Sequence, residues 1–148
     1  MSHQQNFEKI IYLAEDDEDD RILFIEAVEE LNLPIFVVQA ADGNELIDTL
    51  THAESLPEII FLDINMPCKN GFDCLKEIRS AGKELEKVKI IMFTTSSSSI
   101  HIKLSYKLGA DFYAVKPGNF QELKALLKKI LENDEIKIKR KDKKFLLT

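Results

Sequence analysis

The chain reads as an α/β protein: a doubly wound five-stranded parallel sheet with five helices. Two observations predict this. Five times in succession a short apolar run is followed, after a short loop, by a segment of helical periodicity, and that alternation builds a parallel sheet with helices on both faces. The apolar runs are also continuous rather than alternating, as in Ile59-Ile60-Phe61-Leu62, the pattern of a strand buried on both sides.

The elements follow in order. Lys9 to Ala14 is the first strand and runs into the acids Glu15 to Asp20. In the helix after it, Phe24, Ala27, Val28 and Leu31 share one face. Asp19 or Asp20 is expected to cap its start, and Asn32 and Pro34 to stop it. Ile35 to Ala40 is the second strand, and Asp42-Gly43 turns into a short helix, Glu45 to Thr51. Pro57 precedes the third strand, which ends at Asp63. The helix Gly71 to Ser80 turns Phe72, Leu75 and Ile78 inward, and Ala81 to Lys87 is a charged connection. Lys89 to Phe93 is the fourth strand, and it ends in the hydroxyls Thr94 to Ser99. A helix from about Ser98 to Leu108 carries the stripe Ile100, Leu104 and Leu108, with Ile102 and Tyr106 off it. Gly109 stops it at a left-handed position. Phe112 to Val115 is the fifth strand, ending in Lys116-Pro117-Gly118. The last helix starts at Asn119, paired with Glu122 as in a capping box, and buries Leu123, Leu126, Leu127 and Ile130.

Composition narrows the functions. A chain of 148 residues, 45% hydrophobic, suits one domain with a full core. No apolar run nears the roughly 20 residues that span a bilayer, and the polar start Met1 to Asn6 lacks a signal-peptide core, so no membrane partner is expected. Cys68 and Cys74 fit neither a disulfide framework nor a zinc pattern. They read as free thiols in a reducing, cytoplasmic setting. A net charge of -6 argues against nucleic acid as a partner. Residues 1–8 read as an N-terminal tail, 9–133 as the folded domain and 134–148 as a basic C-terminal tail. In that tail Ile136 and Ile138 alternate like an edge strand, and Phe145 to Leu147 are too apolar to sit free. The tail is therefore expected to dock on its own domain or on a neighbouring chain.

The chemistry sits at the strand ends. The first strand ends in Glu15-Asp16, the third in Asp63, the fourth in Thr94 and the fifth in Lys116. In a parallel sheet these ends share one edge, where ligands bind. Asp63 there is a reactive group, a metal ligand or a helix cap. Clustered carboxylates repel one another unless a cation compensates, and oxygen-only ligands suit Mg²⁺. A lysine beside them offsets charge and can bind a phosphoryl oxygen. Taken alone, Lys116 would be a solvated charge, Ser96 to Ser99 helix-start hydroxyls, and Asp17 to Asp20 a solvated helix start. His3, His52 and His101 form no ligand spacing.

These residues together resemble a response-regulator receiver domain of two-component signalling. The resemblance rests on Glu15-Asp16, Leu62-Asp63-Ile64-Asn65-Met66-Pro67 with Gly71, Thr94, Gly109-Ala110 and Lys116-Pro117, and it covers about residues 9 to 131. It implies a flavodoxin-like fold and a stand-alone, chemotaxis-type receiver. Asp63 would accept a phosphoryl group from a histidine kinase or histidine phosphotransfer protein. Asp16, Asp63 and the Asn65 carbonyl would bind Mg²⁺, with Glu15 acting through water. Thr94 and Lys116 would contact the phosphoryl oxygens, and Thr94 and Tyr113 would form the switch. It further implies a cis peptide between Lys116 and Pro117. Such a chain is a signalling phosphoacceptor with its own phosphorylation and autodephosphorylation chemistry, not a turnover enzyme. It would signal by a surface change or relay the phosphate onward. Its output face is expected on residues 98–108, 112–115 and 119–131, open to a partner or a homodimer. Glu15 stands where Asp is common in the family, and Gly118 where a bulky apolar residue is common.

Other functions fit less well. A phosphohydrolase with an Asp-x-Asp signature would need a second acid where Asn65 stands. No Gly-rich phosphate loop opens a helix, which disfavours nucleotide binding. A flavodoxin-like binding module without phosphotransfer has no use for the carboxylates, Thr94 and Lys116 as a set.

Overall fold

A computed structural model of the chain describes residues 9–132 and 144–147. Its strands are β1 (Lys9–Ala14), β2 (Ile35–Ala40), β3 (Ile59–Leu62), β4 (Lys89–Thr94), β5 (Phe112–Val115) and β6 (Leu146–Leu147). Its helices are α1 (Glu18–Glu30), α2 (Gly43–Thr51), α3 (Gly71–Ser80), α4 (Lys83–Glu86), α5 (Ser99–Lys107) and α6 (Phe120–Glu132). The strands form one parallel sheet in the order β2-β1-β3-β4-β5-β6. The five expected strands and five expected helices are all present. The structure adds α4, a single turn within the charged connection, and β6 from the C-terminal segment.

The continuous apolar strands are buried because both faces of the sheet are covered. On one face α1 and α6 pack Phe24, Ala27, Leu127 and Ile130 against Phe61, Phe93 and Phe112. Phe24, Phe61 and Phe93 meet edge to face at 5.0, 5.9 and 5.8 Å between ring centres, a favoured geometry for aromatic rings. On the other face α2, α3 and α5 cover Tyr12, Ile60, Leu62, Met92 and Tyr113. Cys74 is fully buried there and Cys68 is exposed, both as free thiols.

Local signals set the helix ends. Asn70 accepts from the Asp73 amide at 2.9 Å and Asn119 from the Glu122 amide at 2.8 Å, each satisfying an orphan donor of a first turn. Asn32 adopts φ +54 after α1, and Gly109 φ +103 after α5. Two expectations need correction. The cap of α1 is Asp17, not Asp19 or Asp20, because the helix starts at Glu18 and the extended Asp17 accepts from the Asp20 amide at 2.9 Å. On α5 the inward line runs through Ser105, fully buried, and half-buried Ile102, whereas Ile100 is 74% exposed. Ser105 can face inward because its hydroxyl donates to the His101 carbonyl at 2.8 Å, so no polar group is stranded.

Of the tail, Leu146 pairs with Tyr113 and Leu147 with Ala114. Ile136 and Ile138 lie outside the described residues.

Candidate functional site

Each strand-end residue is anchored by the ladder that precedes it. The Glu15 amide donates to Ala40 O at 3.0 Å, the Asp63 amide to Ala14 O at 3.1 Å and the Lys116 amide to Thr94 O at 2.7 Å. The side chains on these last rungs therefore converge on one edge with little backbone freedom. The loop after β3 closes over Asp63 from the far side. The Gly71 amide donates to Ile64 O at 2.8 Å, and a Cβ at Gly71 would lie 2.2 Å from Asp63 O. Only glycine allows that approach.

Glu15 and Asp63 are both buried. Lys116 Nζ lies 3.2 Å from Asp63 Oδ2 and 3.2 Å from Asp20 Oδ2, and it also pairs with Glu15 Oε1. The remaining oxygens are held by backbone amides, Asp63 Oδ1 by Ile64 at 2.8 Å and Glu15 Oε2 by Asp17 at 3.0 Å. Burial pushes the Glu15 carboxyl up to about 7, helped by the charge of Asp63 and opposed by the bonds from Lys116 and the Asp17 amide. For Lys116, burial alone would lower the value, but the bond to Glu15 and the charges of Asp63, Glu15 and Asp20 together raise it.

Asp16 is exposed beside this pair, and carboxylate oxygens of Glu15, Asp16 and Asp63 all lie within 4.8 Å of one another. Three oxygen donors, two of them buried, fit a hard divalent cation. Asn65 is exposed in the loop beyond Asp63. The Lys116–Pro117 bond is not cis, since no cis peptide occurs among the described residues. A trans bond suffices because the Lys116 backbone already extends the β4–β5 ladder, and Nζ spans three carboxylates from there.

Across the edge, Thr94 is fully buried, and its Oγ1 has no hydrogen-bond partner among the described residues. Buried hydroxyls are usually satisfied, so this atom points to something the site accepts. Tyr113 is 0% exposed, and its hydroxyl donates to Ser96 O at 2.8 Å. Burial raises its phenol above the usual value. The Tyr113 ring thus holds an inward position in this structure.

Several contacts escaped the sequence reading. Asp20 reaches Lys116 because helical side chains lean toward the helix start, which carries a first-turn carboxylate back over the strand ends. Arg21 donates to Glu15 O at 2.8 Å and Asp16 O at 3.1 Å, tying down the β1–α1 loop. Ser96 Oγ meets His101 Nδ1 at 2.7 Å, and the His101 ring meets Phe72 edge to face at 5.6 Å. Gly118 faces open space and lines a cavity of about 320 Å³ between α1 and the start of α6, walled by Leu23, Phe24, Phe93 and Phe120.

Comparison with known proteins agrees with this geometry. The family model "Response regulator receiver domain" matches residues 11–128. The transcriptional regulatory protein CpxR of Escherichia coli K12 is 35% identical over 121 residues, covering 82% of this chain and 48% of CpxR. The chain thus spans about half the length of that relative. Among solved structures, the phosphorylated cyanobacterial phytochrome response regulator RcpA superposes with TM-score 0.77 at 32% identity, covering 84% of this chain and 91% of RcpA. The Mn²⁺-bound response regulator Rcp1 superposes with TM-score 0.76 at 26% identity, covering 84% and 96%. An edge with buried acids, a lysine and an unpartnered hydroxyl, carried on this sheet and matched over most of its length, makes the chain a member of the response regulator receiver domain family.

Proposed function

We propose that this chain accepts a phosphoryl group on Asp63 from a histidine kinase or a histidine phosphotransfer protein, in a Mg²⁺-dependent reaction. It then signals by a surface change or relays the group onward. The observation that carries this reading is the contact of Lys116 Nζ with Asp63 at 3.2 Å, opposite the unpartnered Thr94 hydroxyl on the neighbouring strand. One side chain offers a nucleophilic oxygen, and the other two offer donors for the oxygens that arrive with phosphorus. A binding module without phosphotransfer has no use for that set.

In the transfer, a carboxylate oxygen of Asp63 bonds to phosphorus as the donor's P–N bond breaks, and the donor imidazole keeps the electron pair. The Lys116 ammonium and the Thr94 hydroxyl donate to phosphoryl oxygens, positioned before the reaction by the ladder. Asp16, Asp63 and the Asn65 carbonyl would hold Mg²⁺, with Glu15 acting through a water. The donor set Glu15, Asp16 and Asp63 fits such an ion, and the Mn²⁺-bound Rcp1 structure supports a divalent cation. When bound, the ion neutralises charge on the phosphoryl oxygens. The chain is on this reading a phosphoacceptor that also supports loss of its own phosphoryl group. No described helix is long and apolar enough to cross a membrane, in keeping with a cytoplasmic site of action. The surface change is read on α5, β5 and α6, by a partner or a second copy.

The test is incubation with acetyl phosphate and Mg²⁺ followed by intact-mass analysis. One phosphoryl group added to wild type, dependent on Mg²⁺ and mapped to Asp63, is the expected result. Labelling that ignores chelator, or that maps elsewhere, overturns the reading.

A further inference from the structure

The C-terminal segment lies against the aromatic that the switch would move. The Tyr113 amide donates to Phe145 O at 3.0 Å, and β6 then pairs with β5 through Leu146 and Leu147. The Phe145 ring stands 5.1 Å from Tyr106, edge to face, and 6.5 Å from Tyr113. Phe145 and Leu146 pack on the sheet layer that holds Tyr113, and Leu147 on the opposite layer. Without this segment β5 would be the edge of the sheet.

We propose that Phe145–Leu147 is a latch that keeps Tyr113 inward, and that its docking is coupled to phosphorylation of Asp63. The coupling rests on the phosphoacceptor reading. A ring leaving the position of Tyr113 must pass the open side of β5, and Phe145 fills that side between Tyr113 and Tyr106. In the docked state Tyr113 is inside and the Thr94 hydroxyl has no partner among the described residues, which leaves that hydroxyl free for a phosphoryl oxygen. A phosphoryl group that engages Thr94 stabilises the same arrangement the segment stabilises. By reciprocity each must then strengthen the other by the same factor. The pairing spans only two residues, and so short a strand is marginal by itself. Docking is therefore weak enough for a distant bond to shift it. A partner reading this face meets β6 as part of it.

The test uses the full chain as wild type, Phe145→Ala and Leu147→Asp, with beryllofluoride and Mg²⁺ as the phosphoryl mimic. Hydrogen exchange at the Tyr113 amide reports docking, because Phe145 O is its acceptor. Calorimetry reports affinity for the mimic. In wild type, beryllofluoride should slow exchange at Tyr113 by roughly 5- to 20-fold, within the usual range of coupling between sites. Both variants should bind the mimic more weakly by a similar factor. Equal affinity in all three proteins, or exchange at Tyr113 indifferent to the mimic in wild type, overturns the coupling alone. The wild-type exchange arm decides even if a variant folds poorly. No binding of the mimic by any of the three overturns both the coupling and the phosphoacceptor reading beneath it.

Discussion

At the ends of β1 and β3 the carboxyl edge of the sheet is saturated with charge contacts. Around Thr94 at the end of β4 and Tyr113 within β5 it is neutral and one hydrogen bond short. Both oxygens of Glu15 and both of Asp63 have donors, and Lys116 bridges Glu15, Asp20 and Asp63. Buried charge-assisted bonds are strong and directional, so this half has a single arrangement. The other half rests on one bond from Tyr113 to Ser96 O, the Ser96–His101 pair and the packing of Phe145, with Thr94 Oγ1 unpartnered among the described residues. Its groups can exchange partners without stranding a charge. The contrast teaches a division of labour: the rigid half is suited to chemistry, the adaptable half to reporting it.

The comparison breaks most completely at Asp63. Asp63→Asn keeps the acceptor for the Ile64 amide but removes the carboxylate charge that the proposed transfer uses. Intact-mass analysis with acetyl phosphate and Mg²⁺ should show no phosphoryl addition, while circular dichroism shows the fold retained. Stoichiometric labelling of the variant would place the chemistry elsewhere.

Next in size is Lys116→Met, which leaves Glu15 and Asp63 buried without the ammonium they share. Removing one partner of a buried ion pair costs about 3 kcal/mol or more. Urea unfolding at pH 7.5 should reveal a loss of that order, and a smaller one at pH 5, where Glu15 holds a proton. A variant as stable as wild type at both pH values would mean that the charged half is not held together by Lys116.

The two halves also differ in how far the sequence disclosed them. The strand ends were readable because a continuous apolar run stops where the polar residue starts, so Glu15, Asp63, Thr94 and Lys116 are marked by position alone. The contacts of the neutral half were not. Ser96 and His101 meet through the shape of a loop, and no periodicity encodes a loop. The inward face of α5 was misjudged because buried Ser105 and exposed Ile100 reverse the usual hydrophobic pattern. In β6 the segment pairs with a strand far away in sequence, through two residues, too few to show a period. Asp20 was missed for a geometric reason, the lean of helical side chains toward the helix start.

A third prediction sharpens the charged half through pH. Burial raises the Glu15 carboxyl from 4.5 to about 7, so the folded protein holds that proton more tightly than the unfolded chain. The stabilisation is complete below about 4.5 and is lost as pH rises through about 7. Mg²⁺ bound as proposed would displace the same proton. Its affinity measured by calorimetry should therefore rise up to about tenfold per pH unit below 7 and level off above. Glu15→Gln should flatten both profiles, and an unchanged slope in that variant would assign the titration to another group.

The smallest expected effect has the opposite sign, and it separates the halves most cleanly. Thr94 Oγ1 is buried and has no hydrogen-bond partner among the described residues. A buried hydroxyl without a partner costs about 1 to 3 kcal/mol. Thr94→Val keeps the branched shape on a buried strand and deletes the hydroxyl, so unfolding experiments should show a gain of about 1 kcal/mol. On the proposed function the same change also removes a donor for the incoming phosphoryl group. Beryllofluoride should then bind several-fold more weakly, and the amide of Tyr113 should respond less to it. Stability and phosphoryl capture thus move apart at Thr94, whereas Lys116→Met lowers both. A Thr94→Val protein that loses stability would show that the hydroxyl has a partner in solution, and that the neutral half of the edge is held as firmly as the charged half.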